Sequence, residues 1–292
     1  MLREENLLMN HQLTFFDLWN PYLFVLLILL AILFFRYIIT QSKSNKVQKH
    51  SQKKKTILFI LALVFYFIAE GSPLKAYGHY LFSFHMTSMA ISYLIVPPLL
   101  LLSIPKWVFQ PILKTKILKK SISFFTHPIV SVILFNVVLS FYHIPVIFDY
   151  IMSSMVYMHF MNYVLLLLAF FFWWPLVSPL PELNEVSHIK KLGYIFAAGV
   201  LLTPACALII FSKELLYETY RNAPTIFRIF QPLDDQQAAG IIMKIIQEIV
   251  YGIALCVIFM SWSKKEKRQD DSVLSEIDAY EKRSGNFEFE GK

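Results

Sequence analysis

The stretch HMTSMAISYLIVPPLLLLSI, residues His85–Ile104, determines how the rest of this chain is interpreted. It opens with His85 and Met89, which are four residues apart, so on a helix both side chains lie on one face. A second apolar run opens with the same pair in reverse order, Met155 and His159. Imidazole and thioether groups together suit a soft metal, and copper in its reduced state is the best match.

The composition indicates a protein embedded in a membrane. Its residues are 57% hydrophobic and 16% charged, and the mean hydropathy is +0.54. A soluble globular domain has about 45–50% apolar and about 25% charged residues. The net charge of +7 does not indicate a nucleic-acid partner, because the lysines lie in short loops between apolar runs, where membrane topology explains them. We therefore predict that the lipid bilayer surrounds most of the chain.

Hydropathy predicts an all-α fold, a polytopic bundle of seven transmembrane helices. A spanning helix needs about 20 mostly apolar residues. The segments that meet this description are Pro21–Thr40, Thr56–Gly71, Tyr80–Ile104, Thr126–Tyr142, Met152–Val177, Lys191–Ser212 and Ala238–Trp262. In the third segment, Pro97 and Pro98 remove two backbone donors and are expected to kink the helix or end it early.

Lysine and arginine residues predict the orientation of the bundle. Six lysines lie in Gln41–Lys55, five follow Ile104, and four basic residues follow Trp262, whereas the loop His143–Ile151 has none. The positive-inside rule then places the N-terminus outside and the C-terminus in the cytoplasm. The predicted organisation is an extracytoplasmic segment (1–20), the membrane domain (21–262) and a flexible, charged cytoplasmic tail (263–292).

The candidate metal ligands all fall near the predicted outer face. They are His85, Met89, His143, Met155 and His159. Histidine inside a membrane is costly and tends to mark function, although each one could instead be satisfied by a neighbouring carbonyl or hydroxyl. The methionines at 152, 155, 158 and 161 are also consistent with simple packing. His79 has no partner at helical spacing and ranks lower.

Several other side chains have structural interpretations. Asp235 is expected to cap the last predicted helix, and Lys244 is expected to pair with Glu248 within that helix. Trp173 and Trp174 are typical of an interfacial aromatic belt. Nucleotide-binding loops, nucleophilic triads and CxxC pairs are absent from the sequence, so neither a nucleotide cofactor nor enzymatic chemistry is predicted.

The order of several short motifs resembles the CtaG family of bacterial cytochrome c oxidase assembly factors, of the multi-helix membrane type. The motifs are His85-Met86, Val96-Pro97-Pro98-Leu99-Leu100, Ile104-Pro105, His143-Ile144-Pro145 with Asp149, His159, Phe172-Trp173-Trp174-Pro175, Thr203-Pro204, Tyr217, and Asp235-Gln236-Gln237 with Gly240 and Met243. The likeness extends over nearly all of the membrane part, from Pro21 to Trp262.

This resemblance implies a seven-helix protein of the bacterial plasma membrane that helps form the copper centre in the catalytic subunit of the oxidase. The recurring histidines of the family correspond to His85, His143 and His159. Met89, and Asn162 or Tyr163, stand where many members have a second histidine, which favours a mixed His/Met site for Cu(I). Asp235, Gln236 and Gln237 would then orient the imidazoles through hydrogen bonds without binding the metal themselves.

Two alternatives remain open on the sequence alone. His85 and His159 on facing helices could bind one b-type haem axially. The protein could also be a metal-free scaffold that holds the oxidase subunit while another factor delivers copper. The visible haem absorption of the purified protein distinguishes the first alternative, and substitution of both histidines tests the second.

Overall fold

The computed structural model describes residues 14–44, 49–180, 182–183, 186–221, 223 and 231–287, which are mostly α-helical and contain no β-strand. A π-helical turn, Ile91–Ile95, and a 3-10 turn, Lys106–Phe109, interrupt the series. The α-helices in chain order are α1 (Phe15–Leu18), α2 (Pro21–Ser44), α3 (Lys49–Gly71), α4 (Pro73–Tyr77), α5 (Phe82–Ala90), α6 (Val96–Ser103), α7 (Gln110–Lys114), α8 (Lys116–Phe125), α9 (Pro128–Tyr142), α10 (Pro145–Met152), α11 (Met155–Val177), α12 (His188–Ile210), α13 (Glu218–Arg221) and α14 (Pro232–Phe287).

Five helical segments within the described residues are long and apolar enough to cross a membrane, which makes this a multi-pass membrane protein. They are Gln52–Tyr77, Phe82–Ser103, Met155–Val177, His188–Ile210 and Pro232–Ile277. The pair α8 and α9, bent by 65°, counts as a sixth span if it is taken as one, and Pro21–Tyr37 is a shorter apolar helix. These elements correspond to the seven predicted segments, but the number that meets the length criterion is five or six.

The span Phe82–Ser103 forms the centre of the bundle, because 61% of its apolar window is buried by other helices, against 22% for Pro232–Ile277. The last helix instead exposes an apolar stripe at every fourth residue. The stripe consists of Ile241, Ile245, Ile249 and Ile253. Side chains four apart lie on one helical face, so this face is the one that contacts lipid.

The expected disruption at Pro97 and Pro98 takes the form of the π turn before them. Val96 donates its backbone N–H to the carbonyl of Ile91, five residues earlier. Neither proline can donate to the carbonyl of Tyr93, since proline has no N–H. The indole N–H of Trp173 donates to that carbonyl instead, at 3.1 Å.

The prediction that Trp173 and Trp174 belong to an interfacial belt is wrong. Both side chains are buried among the helices, with 2% and 6% of their surface exposed. Trp173 packs against the central span and supplies the donor that the proline-disrupted turn lacks, and Trp174 meets the ring of Phe109 edge to face. The sequence alone does not show whether two tryptophans near a helix end face the membrane interface or pack between helices.

The structure describes little of the predicted N-terminal segment but most of the predicted C-terminal tail. Residues 1–13 of the expected extracytoplasmic segment lie outside the described residues, as do residues 288–292. Where the sequence predicts a flexible tail, α14 continues as a helix to Phe287. No glycine or proline occurs between Gly252 and Gly285, so nothing in the chain stops the helix there.

Candidate functional site

A small cavity of about 60 Å³ lies between α5 with the π turn that follows it, the first three turns of α11, the last turns of α9 and α10, and α4 with its connection to α5. It is the candidate site, and we call it the cavity. Three histidines and four methionines line it: His79, His85, His159, Met89, Met152, Met155 and Met158. The cavity therefore gathers nitrogen and sulfur donors from several separate elements of the fold.

Four of the five residues predicted as metal ligands line this cavity. His85 and Met89 contribute from α5, and Met155 and His159 from the first turns of α11. Met155 and His159 are largely exposed on the bundle surface, whereas Met89 is buried, so the cavity runs from an open side to a closed one. The two His/Met pairs, 70 residues apart in the sequence, share one enclosure.

The fifth candidate, His143, is not among the residues that line the cavity. Its Nδ1 donates to the carbonyl of Leu139 at 2.7 Å, and its Nε2 lies 3.1 Å from the sulfur of Met86. The side chain is 3% exposed, and burial lowers the pKa of His143 to about 4, although the bond to Leu139 opposes that shift. His143 is therefore a neutral, buried imidazole at physiological pH.

Aromatic groups and a glycine fix the position of His85. Its Nε2 lies 3.0 Å from the hydroxyl of Tyr142, and its ring meets the ring of Phe148 edge to face, with centroids 5.4 Å apart. A Cβ added at Gly78 would lie 3.2 Å from both the Cα and the backbone nitrogen of His85. Glycine at this position allows the α4–α5 connection to pass close to the histidine.

His79, which the sequence analysis ranked low, lies on this same connection and lines the cavity. The hydroxyl of Tyr220 donates to the carbonyl of Gly78 at 2.9 Å and so holds the connection in place. The surrounding protein, followed by the positive charges of Lys75 and His159, lowers the pKa of His79. Spacing alone could not reveal this residue, because its neighbours in the cavity come from other parts of the chain.

Asp235, predicted as the cap of its own helix, caps a different one. It lies in the first turn of α14, where its backbone N–H already donates to Gln231. Its carboxylate accepts the backbone N–H of Phe82 at 2.7 Å and the hydroxyl of Ser83, at the start of α5. The carboxylate thus fixes the helix end that carries His85.

The two glutamines that follow brace the loop before α13. Gln236 accepts the backbone N–H of Leu216 and donates to the carbonyl of Glu214, and Gln237 donates to the carbonyl of Ser212. Among the described residues, Asp235 and both glutamines bond to backbone groups and to one serine hydroxyl rather than to an imidazole. Their effect on the cavity is therefore indirect.

Within the described residues, no group of three or more His, Cys, Asp or Glu side chains is arranged to hold a metal ion. The donors of the cavity are instead a mixture of imidazoles and thioethers, and a thioether is a soft, neutral ligand. Such a set suits a soft monovalent ion and fits poorly with hard cations, which prefer carboxylate and carbonyl oxygen.

These features define a polytopic helical membrane protein with a small cavity lined by nitrogen and sulfur donors. The sequence model of the family described as cytochrome c oxidase caa3 assembly factor (Caa3_CtaG) matches residues 32–265, about four fifths of the chain. The chain belongs to this family, which confirms the resemblance based on its motifs. An assembly-factor family indicates a non-catalytic role. No curated protein and no solved structure matches the chain.

Proposed function

We propose that this protein binds reduced copper as cargo in the cavity and helps to supply it to cytochrome c oxidase during assembly. The observation that carries the proposal is the convergence of His85, Met89, Met155 and His159 on one small cavity. Neutral imidazole and thioether ligands hold Cu(I) without adding charge, and they exchange readily, as a carrier that must release its cargo requires.

The family name supports the oxidase as the partner, and we propose its catalytic subunit, where the copper centre forms. We further propose that the protein lies in the bacterial plasma membrane as a bundle of seven helices, with its N-terminus outside and its C-terminus in the cytoplasm. The apolar helix Pro21–Tyr37 supports a further span, and the exposed lysines of α8 support a cytoplasmic position for that helix. The cavity then opens toward the outer face, where copper is delivered.

The size of the cavity favours an ion over a haem group. Cofactor pockets generally enclose about 300–1,000 Å³, whereas this cavity encloses about 60 Å³.

We propose that His143, together with Asp235, Gln236 and Gln237, supports the site by fixing the helix ends and the loop around it. The experiment below distinguishes a copper carrier from a metal-free scaffold that holds the oxidase subunit.

The test measures copper bound by the full-length protein, purified in detergent and loaded with Cu(I) under ascorbate. After desalting, elemental analysis gives the ratio of copper to protein, and a visible spectrum reports haem. His85→Ala and His159→Ala remove donors of the cavity. His127→Ala is the matched control, because this exposed histidine precedes α9, at the opposite end of that helix from Tyr142.

We expect about one copper per protein in the parent and in His127→Ala, and a large loss in both cavity variants. Equal copper in all four proteins would contradict the site. No copper in the parent, with normal oxidase assembly when His85 and His159 are both replaced, would instead indicate the metal-free scaffold. A haem spectrum lost in both cavity variants would indicate the haem alternative.

A further inference from the structure

One lysine, Lys75 of α4, lines the cavity together with the histidines and methionines. Its ammonium group lies 2.9 Å from a carboxylate oxygen of Glu70, at the end of α3. The other carboxylate oxygen of Glu70 accepts a hydrogen bond from the hydroxyl of Ser92 at 3.2 Å. The ammonium group is therefore held in place by a carboxylate that is itself anchored to the central span.

The ion pair is oriented with its positive member toward the cavity. Lys75 belongs to the lining, whereas Glu70 does not, and the Glu70 side chain is only 10% exposed. No aspartate or glutamate is among the described lining residues, and Lys75 is the one lysine or arginine there. A cation in the cavity is thus closer to the ammonium group than to the Glu70 carboxylate, which offsets only part of the repulsion.

We propose that the Lys75–Glu70 pair makes the cavity select a monovalent cation over divalent cations. This inference rests on the proposed function and adds the charge of the cargo that the site accepts. Repulsion from the ammonium group is proportional to the charge of the bound ion, so a divalent ion pays twice the penalty of a monovalent one. The imidazoles alone would not provide this selection, since Zn²⁺ and Cu²⁺ both bind imidazole well.

The carboxylate of Glu70 has a specific part in this selection. A free lysine side chain is flexible and turns its charged end toward water. Bonded to Glu70, the ammonium group of Lys75 stays beside the cavity, and the carboxylate offsets the cost of keeping it there. Because the carboxylate lies 2.9 Å from the ammonium group, the two charges act on a bound ion as a dipole, and the remaining repulsion changes affinity by about two- to threefold for each unit of charge on the ion.

The test compares the binding of Ag⁺, an air-stable monovalent soft ion, and of Zn²⁺ to the purified full-length protein in chloride-free detergent buffer. Titration calorimetry gives both dissociation constants for the parent, for the double variant Lys75→Met with Glu70→Gln, for Lys75→Arg and for Lys213→Met. The double variant removes both charges of the pair without leaving an unpaired carboxylate, and Lys75→Arg keeps the pair. Lys213 is an exposed lysine on another loop, outside the cavity, and serves as the control.

We expect the preference for Ag⁺ over Zn²⁺ to fall by about two- to threefold in the double variant, mainly because Zn²⁺ binds more tightly. Lys75→Arg and Lys213→Met should retain the preference of the parent. Tight Ag⁺ binding with an unchanged preference in the double variant would overturn the inference and leave the proposed function standing, as would an equal fall in Lys213→Met. If the parent binds neither Ag⁺ nor Cu(I), both the inference and the proposed function are overturned.

Discussion

Replacing Asp235 with alanine removes a cap that one helix provides to another. In the structure, this carboxylate accepts the backbone N–H of Phe82 at 2.7 Å and the hydroxyl of Ser83, and it is 4% exposed. Hydrogen bonds to a charged group contribute about 1.5–3 kcal/mol each, and the cost of burying the carboxylate offsets part of their sum. We expect Asp235→Ala to lower the free energy of unfolding by about 2–4 kcal/mol.

The measurement is unfolding by SDS in mixed micelles, followed by tryptophan fluorescence. Asp234→Ala is the matched control, because Asp234 is adjacent in sequence and exposed to solvent. We expect that control to stay within about 0.5 kcal/mol of the parent. Asp235→Asn keeps one side-chain oxygen for Phe82 and should lose about half as much as Asp235→Ala. Equal losses for Asp234→Ala and Asp235→Ala would refute the reasoning.

Two further predictions concern buried side chains. Trp173→Phe leaves the carbonyl of Tyr93 without its donor and should lower the free energy of unfolding by about 1–3 kcal/mol in the same assay. Trp174→Phe should cost less, because the indole N–H of Trp174 has no hydrogen-bond partner in the described structure. A larger loss for Trp174→Phe would contradict this prediction. Burial lowers the pKa of His143 in the folded protein to about 4. As the pH drops from about 6.5 to about 4, His143 therefore takes up a proton in the unfolded chain but not in the folded protein, and the free energy of unfolding should fall. His143→Gln should flatten that slope and His127→Gln should not; the opposite result would show that His143 is not buried in its neutral form.

Features that depend on local periodicity were predictable from the sequence. The apolar runs mark the main helices, and the spacing of His85 with Met89 and of Met155 with His159 put each pair on one face of its helix. The predicted pairing of Lys244 with Glu248 is confirmed, at 2.7 Å. All of these features are set within one or two turns of a single helix, where the 3.6-residue period governs which side chains meet.

Features that depend on contacts between distant segments were not predictable. Asp235 and Phe82 are 153 residues apart, and Trp173 and Tyr93 are 80 apart, so no spacing rule connects them. His79 lines the cavity because the α4–α5 connection folds back beside α5, not because of a partner one turn away. Without homologous sequences to show which positions vary together, a single chain carries no signal for such pairs.

The π turn at Ile91–Ile95 has a consequence for changes in chain length. It fits one more residue into the central span than a regular helix would over the same rotation, so α6 continues in phase with α5. A substitution here alters one side chain, whereas one further inserted residue would not be absorbed and would turn α6 by about 100° away from its present neighbours. The number of residues between His85 and Pro97 is thus a structural parameter in its own right, and an insertion tests it more severely than any exchange of side chains.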